Sequence, residues 1–98
     1  MNPTIGDCID KLQALGSSQQ IADFFEQEGI RGTRKNSFKC AAAVYLKRET
    51  GLDRMCVSAH WAAQYGEPDT TVLIHWYSPL EQFIREFDRG QHPKLVDT

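Results

Sequence analysis

No run of apolar residues in this sequence approaches the roughly 18 that a membrane-spanning helix requires. The opening residues lack a basic segment followed by an apolar stretch and a small-residue cleavage site, so the expected setting is cytoplasmic. Cys8, Cys40 and Cys56 are odd in number and widely spaced. That argues against a disulfide framework and for reduced thiols. No glycine pattern matches a phosphate-binding loop of the Walker A kind. Leu46 stands where a cysteine phosphatase loop begun at Cys40 would need arginine. A cofactor is not expected.

The 98 residues suit one domain, spanning 1–98 with a tail from about 91. Leu, Ile, Val and Phe total 22, enough to remove the chain from the compositionally disordered class. The net charge of −2 conceals a segregation. Between Arg31 and Arg54 lie seven basic and two acidic residues, whereas the remainder carries four basic and eleven acidic ones. The chain is locally bipolar.

The order of elements reads α-α-α-β-β-α, an α+β domain of four helices packed on a two-stranded antiparallel hairpin. Asn2-Pro3 is placed to open the first helix, with Thr4 and Asp7 as an alternative start. Ile5, Cys8, Ile9, Leu12 and Leu15 form its apolar face, and Gly16 supplies the stop. Ser17 or Ser18 caps a second helix with Ile21, Phe24 and Phe25 inward, ended by Gly29 with Ile30 folding back. After the basic loop Arg31–Ser37, Asn36 or Ser37 is expected to cap a third helix from Phe38 to about Thr50, stopped by Gly51. Its Cys40–Leu46 segment is apolar nearly all round, which predicts a central helix.

Met55–Tyr65 alternates with the two-residue period of a strand, Gly66–Asp69 is turn chemistry, and Thr70–Tyr77 reads as the second strand. A turn centred between Glu67 and Pro68 would pair Trp61 with Ile74, Ala59 with Trp76 and His60 with His75. The aromatics would then cover the helices. Ser78-Pro79-Leu80-Glu81 starts a fourth helix with cap, first-position proline and capping-box glutamate. Leu80, Phe83, Ile84 and Phe87 make its inner face, and Leu95 and Val96 are placed to dock on the body.

Four basic residues, Arg31, Arg34, Lys35 and Lys39, precede or open the third helix, where free N–H groups also favour anions. They are the candidate anion or nucleic-acid contacts. The order of helix, turn, helix and hairpin matches a winged helix, but the connection is long and the third helix has few side chains able to read bases. Phosphate contact through the loop is the expected mode. His60 and His75 are weak metal candidates, with Cβ atoms about 4.5–5.5 Å apart if directly opposite. Cys56 would be roughly 13 Å away along the strand, leaving Cys40 or His92 as a third ligand. Cys40 beside Lys39, Arg34 and Lys35 is the candidate reactive thiol, its pKa lowered by those cations.

At Gly29-Ile-Arg-Gly32, followed by Ser37-Phe-Lys-Cys-Ala-Ala-Ala-Val-Tyr-Leu46, the chain resembles small uncharacterised proteins of high-GC bacteria and their phages. Those proteins carry a Gly-x-x-Gly basic segment and a cysteine-led helix ending near Tyr-Leu. The Phe87-Asp-Arg-Gly-Gln-His-Pro93 stretch is similar to theirs too, although Ala41 stands where they often have proline. The resemblance implies a bacterial or phage cytosolic setting and nothing catalytic.

The resulting expectation is a non-enzymatic accessory or regulatory protein that contacts a protein partner, with homodimerisation through the hairpin edge as one route. The alternatives are a nucleic-acid binder using the 31–39 loop, and a small metal or thiol protein built on His60, His75 and Cys40.

Overall fold

A computed structural model describes residues 2–97. Its elements are α1 (Ile5–Gln13), α2 (Ser18–Gln27), α3 (Ala41–Thr50), β1 (Met55–Val57), β2 (Trp61–Gln64), β3 (Glu67–Leu73) and α4 (Pro79–Asp88), then a 3-10 turn at Pro93–Leu95. The class is α+β. The sheet has three antiparallel strands in the order β1-β2-β3, one more than the expected hairpin.

Local chemistry fixes the helix ends. Thr4, not Asn2, caps α1: its hydroxyl accepts from the Asp7 N–H at 3.0 Å, and the Asp7 carboxylate accepts from the Thr4 N–H at 3.2 Å. Asn2 instead donates to the Thr50 carbonyl at the end of α3. Ser17 caps α2, which closes as a Schellman motif. The Gly29 N–H reaches the Glu26 carbonyl, and the Ile30 N–H reaches the Phe25 carbonyl.

The third helix starts three residues later than its apolar pattern suggests, at Ala41 with Cys40 as cap. Asn36 uses its side-chain oxygen on the Phe38 N–H and its carbonyl on the N–H groups of Lys39 and Cys40. Residues 36–40 thereby form a separate turn, a competition typical of asparagine. Ala41, Ala42, Ala43, Tyr45 and Leu46 are buried, so α3 is the central helix. Beside it Phe25 sits 5.3 Å from Tyr45 and 5.2 Å from Phe83, ring to ring, joining α2, α3 and α4 in one core.

The long strand read over Met55–Tyr65 is broken at Ser58–His60. Ser58 donates its N–H to the Trp61 carbonyl at 2.8 Å, and its hydroxyl accepts from the His60 N–H at 3.3 Å. This hydroxyl-supported turn reverses the chain while leaving the two-residue alternation of the letters intact. The second turn is Tyr65-Gly66, with Gly66 at φ 85°, so Glu67–Asp69 belong to β3. The register pairs Trp61 with Leu73 and Ala62 with Val72, then slips to Gln64 with Glu67 across a bulge. The expected pairings of Trp61 with Ile74, Ala59 with Trp76 and His60 with His75 are therefore overturned. The sheet's aromatics do not cover the helices.

The tail is docked. Gly32 forms a parallel bridge with Val96, donating to the Leu95 carbonyl at 2.8 Å and accepting from the Asp97 N–H at 3.1 Å. A Cβ on Gly32 would lie 2.4 Å from the Ala41 nitrogen, so the loop backbone fits against the start of α3 only as glycine. Gly32→Ala is expected to lower stability by about 1–3 kcal/mol or more in urea denaturation, the scale of overpacking. Unchanged stability would show that this approach is not a fixed contact.

Candidate functional surfaces

Two surfaces carry the chemistry: a polar trough along α4 and the outer face of the sheet.

The trough begins at a turn. The Ser78 N–H closes on the His75 carbonyl, and Tyr77 takes a left-handed φ of 61° inside it. That conformation is strained for a bulky residue. Glu81 holds it. The Ser78 hydroxyl accepts from the Glu81 N–H as expected, but the Glu81 carboxylate reaches past the cap to the Tyr77 N–H at 2.8 Å. Its other oxygen lies 2.6 Å from Nε2 of His60. Glu81 is only 4% exposed, and both oxygens are satisfied. The Tyr77 N–H, then His60 and Arg85, hold its carboxyl below the usual glutamate range.

Nη2 of Arg85 also approaches Nε2 of His60, at 3.1 Å, and its Nε lies 3.8 Å from Glu81. One ring nitrogen cannot donate to the carboxylate and accept from the guanidinium together. The shorter contact assigns the proton on Nε2 to Glu81, with Arg85 drawn in by the carboxylate. The His60 ring stacks on Trp76 at 3.8 Å between centroids and 25° between planes. Trp76 remains 65% exposed and Tyr77 90%.

Arg85 and Arg89 continue the trough along the outer side of α4, and on their other side they border a separate hollow lined by Arg34 and Lys35. Nε and Nη2 of Arg34 both donate to the Asp88 carbonyl, at 3.1 and 2.8 Å, and the guanidinium lies against Gly90. Arg34 thus caps the C-terminus of α4, where a cation is favoured. The Lys35 N–H binds the Asp88 carboxylate at 3.0 Å. Two of the four basic residues singled out in the sequence therefore line the adjoining hollow and not the trough itself. Arg31 lies elsewhere, beside Glu26, Gly29, Ile30, Lys94 and Leu95. Lys39 is exposed next to Phe38.

His75 is exposed and follows β3; the residue set against His60 is its neighbour Ile74, whose N–H donates to the His60 carbonyl at 2.8 Å. Among the described residues no group of three His, Cys, Asp or Glu side chains could hold a metal ion. His92 pairs with Glu86 at 2.9 Å instead. Cys40 is buried, and burial pushes its thiol up to about 11, against the lowering expected from nearby cations. The backbone N–H groups of Ala43, Ala42 and Cys40 offset only part of that rise, and the carboxylate of Asp88 adds to it.

The second surface follows from the pleat. Ala62 and Val72 turn to the core, so their strand neighbours Trp61 and Leu73, paired across β2 and β3, face outward. Leu73 is 73% exposed. Tyr65 extends this face, and Phe38 packs edge-on against it at 5.4 Å between rings. Phe38 reaches the sheet because the Val57 N–H bonds the Ser37 carbonyl, fixing the residue 36–40 turn beside β1. The sequence reading missed this patch because it placed Phe38 in a helix and gave the aromatics to the core. It missed Arg85 and Arg89 because arginines on an amphipathic helix look like any solvated face.

The lowered Glu81 pKa has a definite sign in stability. The folded state holds this carboxylate more readily deprotonated than the unfolded chain does. Its contribution is complete above the unfolded glutamate pKa of about 4.3 and is lost as pH falls through the lower folded value. In urea melts between neutral and acidic pH, Glu81→Gln is expected to be less stable near neutrality and to lose less stability than wild type below that value. Parallel pH profiles would rule out the effect.

No protein-family model, curated protein or solved structure matches the chain significantly, so no relative assigns a role to either surface.

Proposed function

We propose that this chain is a non-enzymatic accessory protein that works by protein contact, and that the outer face of its sheet is the contact surface. The observation that carries this reading is the group Phe38, Trp61, Tyr65 and Leu73, four large apolar residues exposed on a sheet face that no helix covers. A contiguous apolar surface of this kind marks an interaction site, and aromatic side chains are enriched at interfaces. The burial and raised pKa of the Cys40 thiol support a role without thiol chemistry.

The occupant proposed is a second copy of the chain. Arg54 lies just before β1 at one flank of the face, while Glu67 and Asp69 lie on β3 at the other. A two-fold axis running along the strands within the interface sets the β1 flank of one copy against the β3 flank of the other. Opposite charges then meet around an apolar centre of Trp61 and Leu73.

Sedimentation velocity on wild type and Leu73→Asp tests this. The expected result is a dimer that the substitution converts to monomer. Thermal melting by circular dichroism should confirm the fold, since an exposed substitution shifts stability by only about 0.5 kcal/mol. A wild-type protein that stays monomeric into the hundreds of micromolar would remove this reading.

A further inference from the structure

The trough on α4 has no part in a dimer through the sheet face, and its chemistry differs. It is a concavity of about 640 Å³, within the size range of small-ligand sites. At one end Trp76 lies with one face on His60 and the ring largely open to solvent. His60 is itself fixed by the buried Glu81, so the indole is a held, flat platform. Tyr77, locked outward by its left-handed turn, stands beside it. Toward the other end lie Arg85 on α4 and Arg89, the residue that ends the helix, one turn apart. Arg89 makes no ion pair among the described residues, and Arg85 only a long one of 3.8 Å to Glu81.

We infer that this trough is a nucleotide-binding site, taking a planar base on the open face of Trp76 beside Tyr77 and its phosphate on Arg85 and Arg89. A base needs a flat π-surface, and a phosphate needs planar guanidinium donors. The trough supplies both on neighbouring elements. Its carboxylates are already engaged: Glu81 by Tyr77 and His60, and Glu86 by His92. The same chemistry fits a free nucleotide and one unit of a single strand. The site differs from the 31–39 loop, since Arg34 is spent on α4 and Arg31 lies apart.

The chain has two tryptophans, so Trp61→Phe leaves Trp76 as the sole fluorescent indole. That protein is titrated with adenosine monophosphate, adenosine, inorganic phosphate, a short oligoadenylate and polyglutamate, at low and moderate salt. Quenching by adenosine monophosphate, with adenosine far weaker, is expected for a free-nucleotide site. Quenching by the oligoadenylate alone, weakening steeply with salt, identifies the single strand as the source. In either case Arg89→Gln should weaken binding roughly tenfold or more, the size of one lost charge-assisted contact. Trp76→Ala should do the same by fluorescence-anisotropy binding with labelled ligand, the size of one lost stacked base. Both substituted side chains are exposed, and circular dichroism reports whether the variants fold. Three results would overturn the assignment. They are no quenching by either adenylate at millimolar ligand, adenosine as strong as its monophosphate, and polyglutamate as strong as the oligoadenylate.

Discussion

One buried carboxylate holds together the part of the molecule where sheet, turn and helix meet. Glu81 sits in the first turn of α4, where the helix dipole already favours negative charge. From there it fixes the Tyr77 backbone and the His60 ring. His60 in turn supports Trp76. A glutamate buried without partners would carry a heavy desolvation cost. Here each oxygen has a donor at short distance, and the satisfied group orients two aromatics and a histidine that belong to no helix or strand.

The two surfaces on either side of that junction differ in origin. The outer sheet face arises because four helices and a three-stranded sheet give the domain only one covered side of the sheet. Trp61 and Leu73 are left outside by the pleat. The trough arises from α4 itself, whose inner face of Leu80, Phe83, Ile84 and Phe87 is buried and whose opposite side must face water. The apolar face and the polar trough are thereby separated.

Helix ends marked by local chemistry were legible in the sequence. Ser78-Pro79 and Gly29-Ile30 announce a start and a stop, because capping involves neighbours a few residues apart. The small, apolar Cys40–Leu46 segment correctly placed α3 at the centre. What the sequence concealed depended on competition or on distant partners. Asn36 diverts backbone donors and delays α3, and Ser58 turns the chain without a glycine or proline to mark it. The His60–His75 pairing rested on a single turn position, and a different turn displaced it. A strand register inferred from one turn is only as sound as that turn. Beside the trough, Arg34 and Lys35 were visible as charge, but the role of Arg34 as a cap on α4 needed the tertiary fold.

The bridge between Gly32 and Val96 ties the basic loop to a distant part of the chain. It joins residues 64 positions apart, and Thr33 and Asp97 reinforce it at the same separation. Contacts between such distant residues close long loops, at an entropic cost that rises with loop length. The two antiparallel strand pairs and the capped helices need far shorter closures. The basic loop is therefore held in its native shape in part by a segment more than sixty positions away, so its form depends on the docked tail as well as on its own sequence.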